Sequence, residues 1–264
     1  MTRPPIFIGG AGRSGTTLLR VMLDSHPAIA CGPELKILPA ILRQWVDMRT
    51  SYAPPLAQWR IGPAETDRLY RQLVEGLLEP YRVAAGKPRV AEKTPGNVLF
   101  FRQFHALFPD SPLVHVIRDG RDVVTSLLSM DWTDPATGQA PPYTRDARRA
   151  AEYWVSCVRG GRSALDMPGL SERYIEVRYE ELARDPETTL RTLLVAVGEE
   201  WNPAVLEFHR KPHDLSDESS ADAVQDPLNT AAIGRWQEDL KPGQLALVQS
   251  VAGDLLAELG YLRD

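Results

Sequence analysis

The sequence predicts an α/β fold, a parallel β-sheet with helices on both faces, formed by one domain over residues 1–264. Two observations carry this. Short β-branched and aromatic runs recur along the chain, each followed by a segment with helical apolar spacing. Three of these runs end in polar clusters: GGAGRSGTT (9–17), AEKTPGN (91–97) and RDGRDVVTS (118–126). Ligand-binding loops gather in this way at the carboxyl ends of parallel strands.

Taken in order, PIFIGG (5–10) reads as a buried strand ending in glycine. GTTLLRVMLDSHP (15–27) follows with apolar residues at helical spacing and a proline stop. Further strands are expected at 89–92, 112–118 and 173–179. Their helices are expected at Asn97–Leu107, Gly120–Leu128 and Pro186–Val197. Long helical pieces at 63–85 and 145–165 cover the sheet, and Pro242–Leu259 forms a closing helix. Residues 212–227, PHDLSDESSADAVQDP, are polar and acidic with almost no apolar pattern, which suggests a loop that orders over a ligand.

Composition narrows the function. A net charge of -5 argues against general nucleic-acid binding, so any anion site is local. Two cysteines, Cys31 and Cys157, make no disulfide framework. No apolar run approaches the roughly 18 residues of a membrane span. The start, MTRPPIFIGG, lacks the apolar region of a signal peptide. The expectation from these observations is a cytoplasmic protein with no membrane partner.

The first cluster has the glycine spacing of a phosphate-binding loop, Gly10 to Gly15, but Thr16 stands where that loop carries lysine. The architecture is therefore P-loop-type without the NTPase lysine. Glycines turn the chain and bring N–H groups to face an anion, and the following helix adds its positive end. Thr16 and Thr17 supply hydroxyl donors, and Arg13 a planar fork. In the second cluster, Arg118 ends an apolar strand and Ser126 follows in the next helix, a pair suited to a second phosphate. Asp119 suits a helix cap, with Arg121 and Asp122 as surface or packing residues. Two anion clusters fit a nucleotide with a 5′-side anion and a 3′-phosphate.

These residues resemble the sulfotransferases that use 3′-phosphoadenosine 5′-phosphosulfate (PAPS). The likeness is to the tyrosylprotein sulfotransferases and their bacterial relatives. PIFIGGAGRSGTTLLRVMLDSHP and VIRDGRDVVTSLL carry it, supported by CGPELKILPAIL, EKTPGN, RYEEL and NTAAIGRW. The resemblance implies that Arg13, Ser14, Gly15, Thr16 and Thr17 hold the 5′-phosphosulfate. It implies Arg118 and Ser126 at the 3′-phosphate, Tyr179 near the nucleotide, and Ser220 with Asn229–Arg235 closing over it. Gly234 and Arg235 would lie against the 3′-phosphate. Glu34 falls at the family's catalytic carboxylate and Lys93 at its lysine near the transferring group. A carboxylate suits removal of the acceptor proton. Lys93, Arg13 and the loop amides suit charge building on the departing phosphate. PAPS is then the co-substrate, 3′,5′-adenosine bisphosphate the product, and no metal is required.

The chain also departs from its family. Gly12 stands where relatives carry proline. The relatives are secretory-pathway membrane proteins with a disulfide from the position of Cys31, whose partner position here is Ala91. Pro33 replaces a second acidic residue, and Lys36 is basic, both beside the acceptor. The expected acceptor is a small molecule or carbohydrate hydroxyl, less readily an amine, shaped by loops 45–65 and 131–145. A tyrosyl peptide, an atypical P-loop kinase or NTPase, and a non-catalytic nucleotide-binding module are the alternatives. A homodimer is compatible with the sequence. Several other residues have roles to weigh. Glu34 also suits the start of a helix, and Glu92 is the rival carboxylate, which also suits a pair with Lys93. His26 suits a helix end and His115 a core position. His105 reaches solvent in this reading, and it is kept with His115 as an alternative base. Trp132 and Tyr143 flank a loop that suits an acceptor pocket.

Overall fold

A computed structural model describes residues 3–134, 137–215, 218 and 224–262. In chain order, β1 (Ile6–Gly10) leads through the glycine loop to α1 (Thr16–Asp24) and β2 (Ile29–Cys31). Then come α2 (Leu38–Arg49), α3 (Ala53–Gln58), α4 (Pro63–Ala84) and β3 (Arg89–Lys93). A 3-10 turn, Pro95–Phe100, enters α5 (Phe101–Leu107), followed by β4 (Leu113–Ile117), α6 (Gly120–Leu128) and α7 (Ala147–Arg162). The chain closes with β5 (Tyr174–Arg178), α8 (Tyr179–Arg184), α9 (Pro186–Val197), α10 (Trp236–Asp239) and α11 (Pro242–Glu258).

The five strands form one parallel sheet in the order β2-β3-β1-β4-β5. The chain adds strands on one side of β1 and then crosses to the other. A crevice therefore opens at the carboxyl end of β1, between β3 and β4. The three polar clusters that follow these strands meet there.

Strand alternation builds a separate core on each face. Phe7 points to one side, where it stacks on Phe104 with ring centroids 4.1 Å apart. Helices α2, α4, α5, α6, α7 and α11 cover that side. Ile6 and Ile8 point to the other, against Leu19, Val21 and Met22 of α1 and Leu190, Leu193 and Leu194 of α9. Fully burying each of these side chains contributes about 1.5–3 kcal/mol.

Four of the five strands match the sequence expectation to within two residues at each end; β2 was not expected. Its three residues, Ile-Ala-Cys, carry no alternation to read. The expected helix from Asn97 begins instead as a 3-10 turn over Pro95–Phe100, which enters α5 at Phe101. The expected helix start at Glu34 moves to Leu38, with Pro39 in the first turn.

Candidate active site

The loop between β1 and α1 is shaped by its backbone. Gly15 has φ 92°, and a Cβ there would lie 2.4 Å from Tyr179 Cδ2. Only glycine fits both the left-handed turn and the packed ring. Arg13, which has a side chain, is also held at φ 72°. Such conformations cost free energy and concentrate at functional sites. The Gly12 N–H donates to Tyr153 Oη at 2.9 Å. This contact needs the amide that a proline at this position would lack.

The carboxyl end of β3 supplies Lys93, whose side chain is fully buried. Its Nζ donates to Glu34 Oε1 at 2.6 Å and to Glu218 Oε2 at 2.8 Å, and lies 3.3 Å from Thr17 Oγ1. The lysine is thus an internal charge at the ligand end of the sheet rather than a solvated surface group. Glu34 lies on the segment between β2 and α2, half-buried. Glu92 does not pair with Lys93. Neighbouring strand residues point to opposite faces, so Glu92 instead accepts from Leu35 N, Thr94 Oγ1 and Asn97 Nδ2. Burial pushes its carboxyl above the usual range, against those hydrogen bonds.

The carboxyl end of β4 supplies Arg118. It donates to Arg13 O at 3.0 Å and to Ala232 O, and it lies over the Tyr179 ring at 4.7 Å. Its Nε is buried without a partner among the described residues, as is Ser14 Oγ. Buried donors unmatched within a protein are what a bound anion satisfies. Ser126 accepts from Arg13 Nε at 2.9 Å, so Arg13 joins the two clusters. Burial first, then the like charges of Arg118 and Arg235, lower the pKa of the Arg13 guanidinium. The cluster of like charges around Arg13 makes a ready anion site.

Asp119 caps α6 by accepting from Arg121 N. Asp122 and Arg121 are buried rather than superficial. Asp122 accepts from Gly234 N at 2.8 Å and Trp236 N at 3.0 Å, and Arg121 lies over the Trp236 ring at 4.0 Å. They pin the 234–236 segment to the site. Arg235 and Asn229 border a cavity of about 220 Å³ with Arg118, Ser126 and Tyr179. Gly234 lines a different cavity, although its amide is fixed beside the site.

A second cavity of about 500 Å³ adjoins the first and shares Arg13, Gly15 and Thr17 with it. Glu34, Lys36, Pro95, Trp132 and Tyr153 line its other side. Tyr153 stacks on Tyr143, with centroids 4.6 Å apart. Burial raises the Tyr153 phenol pKa well above its ordinary value, so it stays neutral. Of the expected acceptor loops, 131–145 reaches this cavity through Trp132 and Thr133. Residues 45–65 fold largely into α2 and α3 and line none of it.

The histidines lie away from this crevice. His115 is buried in the sheet with Nδ1 2.6 Å from Tyr174 Oη. His105, expected to reach solvent, is buried with Nε2 3.1 Å from Pro168 O. His26 Nε2 lies 2.9 Å from Glu200 O. Ser220 lies outside the described residues, as does much of 212–227. Cys31 and Cys157 are both free, and Cys31 is registered against Ala91. Three site residues were not foreseen: Arg20, Tyr153 and Glu218. Arg20 carried a signal, as the one charge amid the apolar run of α1. Gly12 in place of proline left an amide that called for a partner. Glu218 lay unmarked among the acidic residues of its segment.

Comparison with known proteins supports the same reading. A profile described as "Sulfotransferase family" matches residues 4–203. "Protein-tyrosine sulfotransferase A" of Caenorhabditis elegans is 31% identical over 268 residues, covering 98% of this chain and 68% of that one. Two solved structures share the fold. The sulfotransferase domain of the Synechococcus PCC 7002 olefin synthase has a TM-score of 0.61 at 23% identity, covering 96% of each chain. A mouse sulfotransferase, SULT7A1, solved in complex with PAP, has a TM-score of 0.51 at 12% identity, covering 98% of this chain and 89% of that one. Among the described residues no helix is long and apolar enough to cross a membrane. The expected cytoplasmic location is nevertheless overturned by the named relatives, which are protein-tyrosine sulfotransferases. Missing apolar runs and unpaired cysteines do not identify a compartment. Loop, lysine, carboxylate, family profile and relatives matched over 98% of this chain agree: the chain belongs to the sulfotransferase family.

Proposed function

We propose that this chain, acting as one domain, transfers a sulfuryl group from PAPS to a hydroxyl acceptor. The observation that carries the reading is the 2.6 Å contact of Lys93 Nζ with Glu34 Oε1 beside Thr17. A carboxylate and an anion-binding loop line one cavity, and the cation lies buried against both. In this reading Arg13, Ser14, Gly15, Thr16 and Thr17 hold the 5′-phosphosulfate. Arg118, Ser126 and Arg235 hold the 3′-phosphate, and Tyr179 packs the nucleotide side. Gly234 positions Arg235.

The donor supplies the sulfuryl group. Its bond to the phosphate oxygen breaks as the acceptor oxygen bonds to sulfur, and 3′,5′-adenosine bisphosphate leaves. Glu34 takes the acceptor proton. Lys93 and Arg13 neutralise charge gathering on the phosphate, as preorganised cations do in a water-poor site.

For the acceptor, we read a phenolic hydroxyl, either a tyrosyl side chain or a free phenol. The relatives' names and the aromatic wall of Trp132 and Tyr153 support it. Pro33 and Lys36 favour a second reading, a small-molecule or carbohydrate hydroxyl, because they remove acidity and add a cation at the acceptor side.

Calorimetry with 3′,5′-adenosine bisphosphate, beside ATP with Mg²⁺, tests the donor. Binding of the bisphosphate with little binding of ATP supports the reading; preference for ATP returns the loop to the kinases. Transfer from PAPS to a tyrosyl peptide, a simple phenol or a sugar then separates the acceptors.

A further inference from the structure

Glu218 has no counterpart in the roles above. Its side chain is 1% exposed, yet it borders the 500 Å³ cavity with Gly12, Arg13 and Glu34. Its Oε2 accepts from Thr17 Oγ1 at 2.5 Å and from Lys93 Nζ at 2.8 Å. Its Oε1 lies 2.7 Å from Arg20 Nε. Thr17 and Lys93 are the groups that, in the function proposed above, meet the donor's 5′ anion.

A threonine hydroxyl has one proton to donate, and here Glu218 receives it. An ammonium has three; Lys93 directs them to Glu34, Glu218 and Thr17. Both donors are therefore committed. Arg20 and Lys93 stand against Glu34 and Glu218, so the cluster is formally neutral. A phosphosulfate entering this cluster meets a carboxylate at contact range, where little solvent screens the repulsion. Arg20 does not depend on Glu218 alone. It also donates to Cys31 O at 3.2 Å and to Asp214 O at 2.8 Å, two bonds that do not involve the carboxylate.

We propose that Glu218 is an internal competitor for the donor's 5′ anion, a carboxylate that occupies Thr17 and Lys93 until the phosphosulfate displaces it. It lowers affinity for donor and product alike. When the bisphosphate leaves, Glu218 returns to the same two partners, which favours release. The inference rests on the PAPS reading above.

The test is calorimetry of 3′,5′-adenosine bisphosphate with the full chain, wild type against Glu218→Gln. The glutamine keeps shape and removes charge. The expected result is about tenfold tighter binding, roughly 1.4 kcal/mol. Adenosine 3′-monophosphate, which lacks the 5′ group, is expected to bind both forms equally. Should Glu218→Gln fail to fold, the double change Arg20→Met with Glu218→Leu replaces the buried pair by apolar groups, a swap proteins often tolerate. It too is expected to bind the bisphosphate more tightly. Unchanged or weaker bisphosphate binding in a folded variant overturns the competitor role and leaves the donor reading standing. Equal tightening for adenosine 3′-monophosphate overturns it as well, since the effect would not belong to the 5′ end. Failure of every form to bind the bisphosphate overturns the donor reading, and this inference with it.

Discussion

The two ends of the crevice hold their cations in opposite ways. At the β3 end, Lys93 contacts two carboxylates, at 2.6 and 2.8 Å, and the cluster is balanced. At the β4 end, Arg118 is held by main-chain carbonyls, and its nearest carboxylate oxygen, on Asp122, is 3.9 Å away. Asp122 is itself occupied by two amides, and burial pushes its pKa up, against those hydrogen bonds. In the function proposed above, the contrast separates two tasks. An end that only anchors a phosphate benefits from unspent positive charge. An end where a proton leaves and negative charge builds needs its base and its cation close together, and so begins matched.

The largest expected effect falls at the matched end. Glu34→Gln keeps a hydrogen-bond acceptor for Lys93 and removes the proposed base. The turnover rate is expected to fall about 10²–10⁴-fold, with bisphosphate affinity within a few-fold of wild type. Turnover unchanged in a steady-state assay would move the base elsewhere and break the contrast.

Next is Arg118→Ala at the anchoring end. Charge-assisted hydrogen bonds contribute about 1.5–3 kcal/mol, so bisphosphate binding is expected to weaken roughly 10–100-fold. Turnover at saturating donor is expected to change far less. A variant with normal KM for the donor and a low kcat would mean that the two ends share one task.

A smaller effect is expected for Tyr153→Phe. It deletes the acceptor of the Gly12 N–H, worth about 1 kcal/mol. The expectation is a several-fold rise in KM for a phenolic acceptor with donor affinity retained. A change in donor affinity alone would place Tyr153 with the loop rather than with the acceptor.

A separate effect, on stability rather than on activity, concerns the sheet that holds the two ends apart. Burial lowers the His115 pKa to about 3 from 6.5. Between these values the unfolded chain takes up a proton that the folded chain refuses. Its contribution to stability is therefore present above about pH 6.5 and is lost as pH falls towards 3, by at most about 1.4 kcal/mol per pH unit. Urea midpoints at pH 7 and pH 4.5 are expected to differ less in His115→Gln than in wild type. An identical difference would assign the acid sensitivity to other groups.

Much of this was legible beforehand where the cause is local. The strand over 5–10, the loop Gly10–Gly15, the cap at Asp119 and the helix Pro186–Val197 each follow from neighbouring residues. Legibility failed where partners are distant or where parity decides. Glu92 adjoins Lys93 in sequence and so suggests a pair, yet a strand sends the two to opposite faces. Thr17 and Glu218 are 201 residues apart, and no local pattern joins them.

By itself, the sequence determined which backbone turns need glycine, which runs form strands and helices, and which charged residues follow the strand ends. These depend on torsional freedom, side-chain period and capping, all set within a few residues. Only the tertiary structure decided which carboxylates Lys93 meets, that Arg13 bridges to Ser126, and that Tyr153 fills the amide left by Gly12. Those pairings come from strand order and from the packing of α1 and α7 on opposite faces of the sheet, which bring together groups that chain position keeps apart.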